Sequence, residues 1–337
     1  MSDDSIFLLA IESSCDDTAA AVLRNDVVLS NVVSSQEVHQ KYGGVVPELA
    51  SRTHEKNIIP VVEQALKDAG IDKQQLSAIA FTQGPGLLGS LLVGGSFAKS
   101  LSLALNIPLI GVNHLQGHIL AHFINHDGQP KPSFPFLAIT ISGGHTQIIQ
   151  VNAPFEMEIL GETLDDAVGE AFDKSAKILG LPYPGGVLID KYAQLGKPIY
   201  SFSKPKIADL NFSFSGLKTQ ILYFVQNKTK ENPDFVKDNL YDICASIQHI
   251  ITQIIIDKIE KAVQQTHIKQ IALGGGVSAN TGIRTALAQK AQKLGWKVFI
   301  PKFEYTTDNA AMIGIVGYLK YKQKQFDSIN TPIKARF

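Results

Sequence analysis

The pattern that most constrains this chain is written twice. Near the start, the apolar run Phe7 to Ile11 leads into a polar turn, Glu12-Ser13-Ser14-Cys15-Asp16-Asp17-Thr18. Ala19 to Leu23 reads as the returning strand, Asn25-Asp26 as a tight turn and Val27 to Val33 as a third strand. The middle of the chain repeats that order: Phe136 to Ile141, the turn Ser142 to Thr146, Gln147 to Val151, a turn at Asn152-Ala153-Pro154, then Glu158 to Leu160. A strand–polar turn–strand meander that occurs twice, each time running on into helices, predicts an α/β chain of two similar halves.

The second meander holds Thr140 to Thr146, T-I-S-G-G-H-T. Its two glycines let backbone N–H groups approach an anion, because no side chain blocks the way. A plain β-hairpin with a Gly-Gly turn fits the same letters. Paired meanders are how actin, the heat-shock ATPases and sugar kinases are built, with a nucleotide held between two hairpins. By that fold analogy the expectation is a duplicated actin-like α/β fold, two subdomains with a central cleft. The expected divisions are residues 1–112 for the N-terminal subdomain and 113–133 for a connecting helix and linker. Residues 134–305 would form the C-terminal subdomain, and 306–337 a helix returning to the first.

With 337 residues, 45% hydrophobic and 18% charged, the chain can bury two cores and is not a disordered tail. The acidic opening Met1-Ser2-Asp3-Asp4-Ser5 lacks the basic segment of a secretory signal. No apolar run reads as long enough to cross a bilayer; Ile250 to Ile259 is broken by Thr252, Gln253, Asp257 and Lys258. Cys15 and Cys244 show no pairing pattern, so a cytoplasmic location without a membrane partner is expected. Formal charge is zero, yet residues 1–150 carry 8 basic and 13 acidic side chains, and the remainder 23 and 18. A neutral protein binds RNA weakly alone, so an RNA substrate calls for a partner unless a local patch such as Lys320, Lys322 and Lys324 serves.

Several motifs carry chemistry. Pro47 is placed to start a helix that Gly70 closes, and Gly84-Pro85-Gly86 with Gly89, lacking the Lys-Ser/Thr of a P-loop, reads as a βα turn. In N-H-L-Q-G-H, residues 113–118, His114 and His118 stand four apart on one helical face, a metal-ligand spacing. Two hydrogen-bonded histidines are the alternative. A zinc peptidase would need Glu directly after the first His, and Leu115 stands there, so that reading fails at its chemical step. His122 and His126 extend the face and are expected toward solvent. Gly161 to Asp166 is expected to open a helix running to Leu179, with Asp173 one turn after Gly169. Leu181 to Gly186 makes a stiff turn suited to a ribose or base contact. The aromatic–serine alternation of Phe212 to Thr219 suggests an edge strand or a substrate-contacting surface. Strand, Gly274-Gly275-Gly276 and helix start is where nucleotides sit in α/β folds, although the spacing is not a dinucleotide fingerprint. Asp308, just before the last helix, reads either as a helix cap or as the oxygen ligand completing a His-His-carboxylate site.

Together these stretches resemble one family. C-D-D-T at 15–18, G-G-V-V-P-E-L-A-S-R at 43–52, N-H-L-Q-G-H at 113–118 and I-S-G-G-H-T at 141–146 all fit it. So do G-E-x-x-D-D-A-x-G-E-A-F-D-K at 161–174, Y-P-G-G at 183–186, F-S-F-S-G-L-K-T at 212–219, G-G-G-V-S-A-N at 274–280 and T-D-N-A-A-M-I at 307–313. The chain is similar, over nearly its whole length, to the bacterial tRNA N6-adenosine threonylcarbamoyltransferases, the TsaD family, formerly called O-sialoglycoprotein endopeptidases. Gln116 stands where the family often has Glu, and Ala10 where it often has Gly; neither is a ligand, and the Gln weakens the old peptidase label.

The resemblance implies transfer of the threonylcarbamoyl group of threonylcarbamoyl-AMP to N6 of adenosine 37, just 3′ of the anticodon, in tRNAs reading A-starting codons. AMP is released. It implies one divalent transition metal per subunit, Fe2+ or Zn2+, on His114, His118 and Asp308, converging between the halves. Substrate contacts fall on Thr140, Ile141, Ser142, Gly143, Gly144, Asp173, Gly186, Asp190 and Asn280. Of these, Asp173 and Asp190 would hold ribose hydroxyls, and Asn280 would lie near adenine with the 274–276 glycines. The backbone donors of Ser142–Gly144 would meet the developing charge. Asp16 is the candidate for taking a proton from the attacking amine. The implied partners are tRNA, a smaller paralogous actin-like protein of the TsaB type and a small ATPase of the TsaE type. Two other classes stay open: an ATPase or phosphotransferase of the same fold, and a non-catalytic paralogous scaffold.

Overall fold

β1 (Phe7–Glu12) is buried along nearly its whole length, which requires cover on both faces of its sheet. The structure, a computed structural model, describes residues 5–126 and 128–336, so the acidic opening Met1 to Asp4 lies outside the described residues. The chain splits into two compact units, Met1–Lys131 with Pro301–Phe337, and Pro132–Ile300.

In the first unit, β1, β2 (Thr18–Arg24) and β3 (Val27–Ser34) form an antiparallel meander. Helix α1 (Pro47–Ala69) starts on its proline and ends at Gly70, whose φ of 65° is left-handed. Then come β4 (Ala78–Gly84), α2 (Leu88–Leu105), β5 (Leu109–Asn113) and α3 (His114–Leu120). β4 pairs parallel with β1 and with β5, giving the order β3-β2-β1-β4-β5. Leu9, Ile11, Val22 and Phe81 pack with Ile58, Val61, Val62 and Ala65 of α1.

The second unit holds β6 (Phe136–Ile141), β7 (Thr146–Ala153), β8 (Glu156–Glu162), α4 (Val168–Ile178) and α5 (Gly185–Ala193). It continues with α6 (Ser215–Glu231), α7 (Phe235–Asp238), α8 (Leu240–Thr266), β9 (Gln270–Gly274), α9 (Thr281–Leu294) and β10 (Lys297–Phe299). Its sheet order, β8-β7-β6-β9-β10, with antiparallel β6–β7–β8 and parallel β6–β9–β10, repeats the first sheet strand for strand. The duplication legible in the sequence is therefore a duplication of topology. Its core gathers Ile139, Ile141, Phe172, Phe212, Phe214, Ile247 and Ile251.

The chain ends in the first unit with α10 (Ala310–Lys322), which packs on β1, β2, β4, β5 and α3. Small residues make this possible: Gly314 lies against Leu23, and a Cβ at Gly317 would stand 2.6 Å from the Ala80 Cβ. That close approach fixes the level of the turn just before α10, where Asp308 sits.

Some expectations change. β8 continues to Glu162 because Glu162 pairs with Gln147, so Asp165 and Asp166 lie in a turn and α4 begins only at Val168. Residues 212–219 are no edge strand: Phe212 makes one isolated bridge to Thr163, and α6 begins at Ser215. Their alternation has another cause. Phe212 and Phe214 enter the core, while Ser213 and Ser215 each donate a hydroxyl hydrogen bond to Asp165. Among the described residues α2 alone, 18 residues with a mean hydropathy of 1.4, is long and apolar enough to cross a membrane. A search for unbroken apolar runs misses it, since its glycines and serines interrupt the run without adding charge. Within the unit its Ser90, Leu91, Gly94, Gly95 and Ala98 are buried. The Lys320 amine donates to the Gly111 carbonyl at 2.6 Å, and burial pushes its pKa down although Asp327 opposes this, which narrows the expected basic patch.

Candidate functional site

The turn between β1 and β2 is fixed by its neighbours. The Gly84-Pro85-Gly86 loop is the expected βα turn, and it lies on Ser14: the Leu87 amide donates to the Ser14 carbonyl at 2.7 Å. A Cβ at position 86 would strike that same Ser14 backbone. Ser13 Oγ donates to the Ser90 carbonyl at 3.0 Å, and buried His54 bridges the Cys15 carbonyl (2.9 Å) and Thr18 Oγ1 (2.8 Å). Asp16 is half-buried in this turn. Burial, with the charges of Asp16 and Asp308, pushes the Cys15 thiol up. Asp17 is pushed up to about 6 by burial, against a hydrogen bond from Ser35.

Asn113 caps α3, its Oδ1 accepting from the amides of Leu115 and Gln116 at 2.9 and 3.3 Å. His114 and His118 then project from one face, rings edge to face with centroids 4.7 Å apart. That face is turned inward. His122, expected toward solvent, is 6% exposed, because α10 packs on α3 and on the turn that follows it. Asp308 is not the cap of α10: Asn309 takes that role, accepting from the Met312 amide at 3.0 Å. Asp308 Oδ1 lies 3.4 Å from His114 Nε2 and 3.2 Å from His118 Nε2, and one ligand atom from each residue falls within 4.8 Å of the others. All three belong to the first unit.

The sequence reading missed a fourth group. Glu12, fully buried at the end of β1, stands with Oε2 3.0 Å from His114 Nδ1 and accepts from Thr82 Oγ1 at 2.6 Å. Burial works against charge here, yet Glu12 and Asp308 hold His114 well above the ordinary histidine range. Burial is likewise outweighed at Asp308, where His114 and His118 pull the carboxyl well below its usual range. Two carboxylates around two imidazoles make a place for positive charge. Both ring nitrogens of buried His118 lack a hydrogen-bond partner among the described residues, despite the 3.2 Å approach to Asp308. Two nitrogens and one carboxylate oxygen, converging with an unsatisfied imidazole, suit a divalent transition metal.

The expected substrate residues gather separately, in the second unit. Thr140 and Ile141 end β6, with Thr140 Oγ1 buried and unpartnered among the described residues. The turn after them is gripped from two sides: a Cβ at Gly169 would meet the Ser142 carbonyl at 2.7 Å, and one at Gly275 the Ile141 carbonyl at 2.5 Å. Of the three expected backbone donors, Ser142 is already engaged, donating to the His145 carbonyl at 2.8 Å. Gly143 and Gly144 are exposed, with open space where a side chain would stand.

Asp173 Oδ1 accepts from the amides of both Gly185 and Gly186 at 2.9 Å, so it holds the start of α5. Burial raises its pKa against those two bonds. One helical turn along, Asp190 accepts from the Thr281 amide (3.0 Å) and hydroxyl (2.6 Å), tying α5 to α9. Asn280 caps α9 through the Ile283 amide and donates to Gln248 Oε1 at 2.9 Å. These three side chains are thus already partnered within the fold and set backbone positions around the turn. Asp165 was also overlooked: it collects two serine hydroxyls and the amides of Phe214 and Ser215, anchoring α6. Its only sequence signal was a pair of serines two residues apart. Replacing Asp173 by Ala should cost about 1–2 kcal/mol in urea unfolding, the scale of a lost helix cap, while Asp173→Asn, which keeps a carbonyl acceptor, should cost much less. Equal losses would mean that the two amides do not depend on Oδ1.

Comparison with known proteins places this architecture. The sequence model described as TsaD, tRNA N6-adenosine threonylcarbamoyltransferase, matches residues 27–315. A protein of that name from Christiangramia forsetii is 67% identical over 338 residues, covering 100% of this chain and 99% of the relative. HypF from T. kodakarensis superposes with a TM-score of 0.64 at 14% identity, over 94% of this chain and 48% of HypF. The ROK hexokinase from Thermus thermophilus gives 0.50 at 17% identity, over 94% and 100%. The two structures share the fold alone, that of actin-like ATPases and sugar kinases. With its duplicated topology and a match that runs almost from end to end, this chain belongs to the TsaD family, the tRNA N6-adenosine threonylcarbamoyltransferases.

Proposed function

We propose that the chain transfers the threonylcarbamoyl group of threonylcarbamoyl-AMP to N6 of adenosine 37 in tRNAs reading A-starting codons. A C–N bond forms between N6 and the carbamoyl carbon, the C–O bond to phosphate breaks, N6 loses a proton and AMP leaves. Membership of the family along the full chain carries this reading. The meeting of His114, His118 and Asp308 supports it, since a phosphotransferase of the same fold has no need of that trio.

An adenine amine is a weak nucleophile, so the acyl group needs activation and the departing phosphate needs stabilising. A divalent transition metal, Fe2+ or Zn2+, held by His114, His118 and Asp308 would supply a Lewis acid for this. The Gly143 and Gly144 amides would donate to developing negative charge, with Thr140, Ile141 and Ser142 forming the floor of the bed. Gly186, Asp173, Asp190 and Asn280 would shape the nucleoside end, the carboxylates and Asn280 acting largely by holding backbone in place. Asp16 would take the N6 proton. Asp17 is a second reading for that role, favoured by its pKa of about 6, because a base works best when it titrates near the working pH.

The zero net charge supports a need for partners in holding tRNA, and the TsaB-type paralogue and TsaE-type ATPase would be those partners. The free thiols of Cys15 and Cys244 agree with a cytoplasmic location.

The test is mass analysis of nucleosides from tRNA incubated with this protein, both partners, threonylcarbamoyl-AMP and added metal. Threonylcarbamoyladenosine should form, and His118→Ala should reduce it about a hundredfold or more, the scale of losing a strong electrostatic stabiliser. Unmodified tRNA together with rapid unaided ATP hydrolysis would favour the phosphotransferase. If Asp17 is the base, the rate should rise with pH through about 6 as the carboxylate forms, and Asp17→Asn should flatten that limb. An unchanged limb would return the role to Asp16.

A further inference from the structure

We propose that Glu12 is the positioning residue that turns His114 toward a bound cation, by fixing which ring nitrogen carries the proton. The inference rests on the reading of the His114, His118 and Asp308 cluster as a metal centre.

A carboxylate can only accept hydrogen bonds. Glu12 Oε2 lies 3.0 Å from His114 Nδ1, so that nitrogen must carry hydrogen. A cation bound there would displace the second proton of the imidazolium, leaving the Nδ1 proton directed at Glu12 and the lone pair on Nε2, the atom that faces Asp308. Glu12 is itself held on both oxygens: the Ser14 amide donates to Oε1, and Thr82 Oγ1 donates to Oε2 at 2.6 Å. Ser14 Oγ, 3.1 Å from His114 Nδ1, adds a second contact at that nitrogen. The carboxylate is fully buried.

His118 has no such support. Its Nδ1 is buried without a hydrogen-bond partner among the described residues. The pair is therefore asymmetric at Nδ1, where His114 faces a carboxylate and His118 has no hydrogen-bond partner among the described residues. Outer partners of this kind orient a ligand ring and raise its basicity. Glu12 and Asp308 also carry two negative charges on opposite nitrogens of His114, which a divalent cation would balance.

The test measures Zn2+ affinity by competition with a chelator for the full-length wild type, Glu12→Gln, Glu12→Ala and Thr82→Val. Long-range 1H–15N spectra of the metal-free proteins, at a pH where His114 is neutral, would read the histidine tautomers. The expected result is about 10–100-fold weaker binding for the Glu12 variants, a smaller loss for Thr82→Val, and a His114 Nδ1–H signal lost in Glu12→Ala. A merely structural role would alter thermal unfolding without changing the tautomer. Wild-type Zn2+ affinity and an unchanged His114 tautomer in folded Glu12→Ala would overturn the role of Glu12 alone. A wild type that takes up no Zn2+ would overturn the metal reading and this inference with it. Should Glu12→Ala fail to fold, the Zn2+ affinities of Glu12→Gln and Thr82→Val carry the decision, wild-type values in both overturning the role of Glu12.

Discussion

A buried ion needs a partner, and the first unit is built around that requirement. Glu12 has no exposed surface, Asp308 is 29% exposed, and His114 lies between them. Taking two carboxylates out of water is costly unless a positive group stands among them with good geometry. The strand end that carries Glu12, the cap that starts α3 and the small residues that seat α10 all serve that arrangement. Moving any one of them by a helical turn would leave a buried charge alone.

The second unit solves a different problem with the same topology. Its first turn carries no acid, and its glycines stand open where the first unit has Cys15 and Asp16. Carboxylates there are turned to backbone: Asp173 holds the start of α5, Asp190 the start of α9 and Asp165 the start of α6. One meander, written twice, thus ends its first strand on the buried Glu12 beside His114 in one copy and runs into an open Gly143-Gly144 turn in the other.

Much of this was legible in the residues. The strand–turn–strand order, the proline and glycine that bound α1, and the four-residue spacing of His114 and His118 follow from local rules and survive in the structure. What was not legible depends on partners far away in sequence. Glu12 looked like the first residue of a polar turn, and only the arrival of α3, about a hundred residues later, gives it a role. Asp308 resembled a cap until Asn309 proved to hold the helix. Nothing local to His122 shows that α10 covers its face, so its sequence reads as solvent-facing. At Gly161–Glu162 cross-strand pairing outweighs the local preference of acids for a helix start.

The central claim is that two imidazoles and one carboxylate of the first unit share a single divalent ion. X-ray absorption at the zinc edge of the Zn2+-loaded protein tests it most directly. The account predicts nitrogen and oxygen neighbours at about 2.0–2.2 Å together with the outer-ring scattering of two imidazoles. A spectrum of oxygen neighbours alone, with no imidazole scattering, would contradict it.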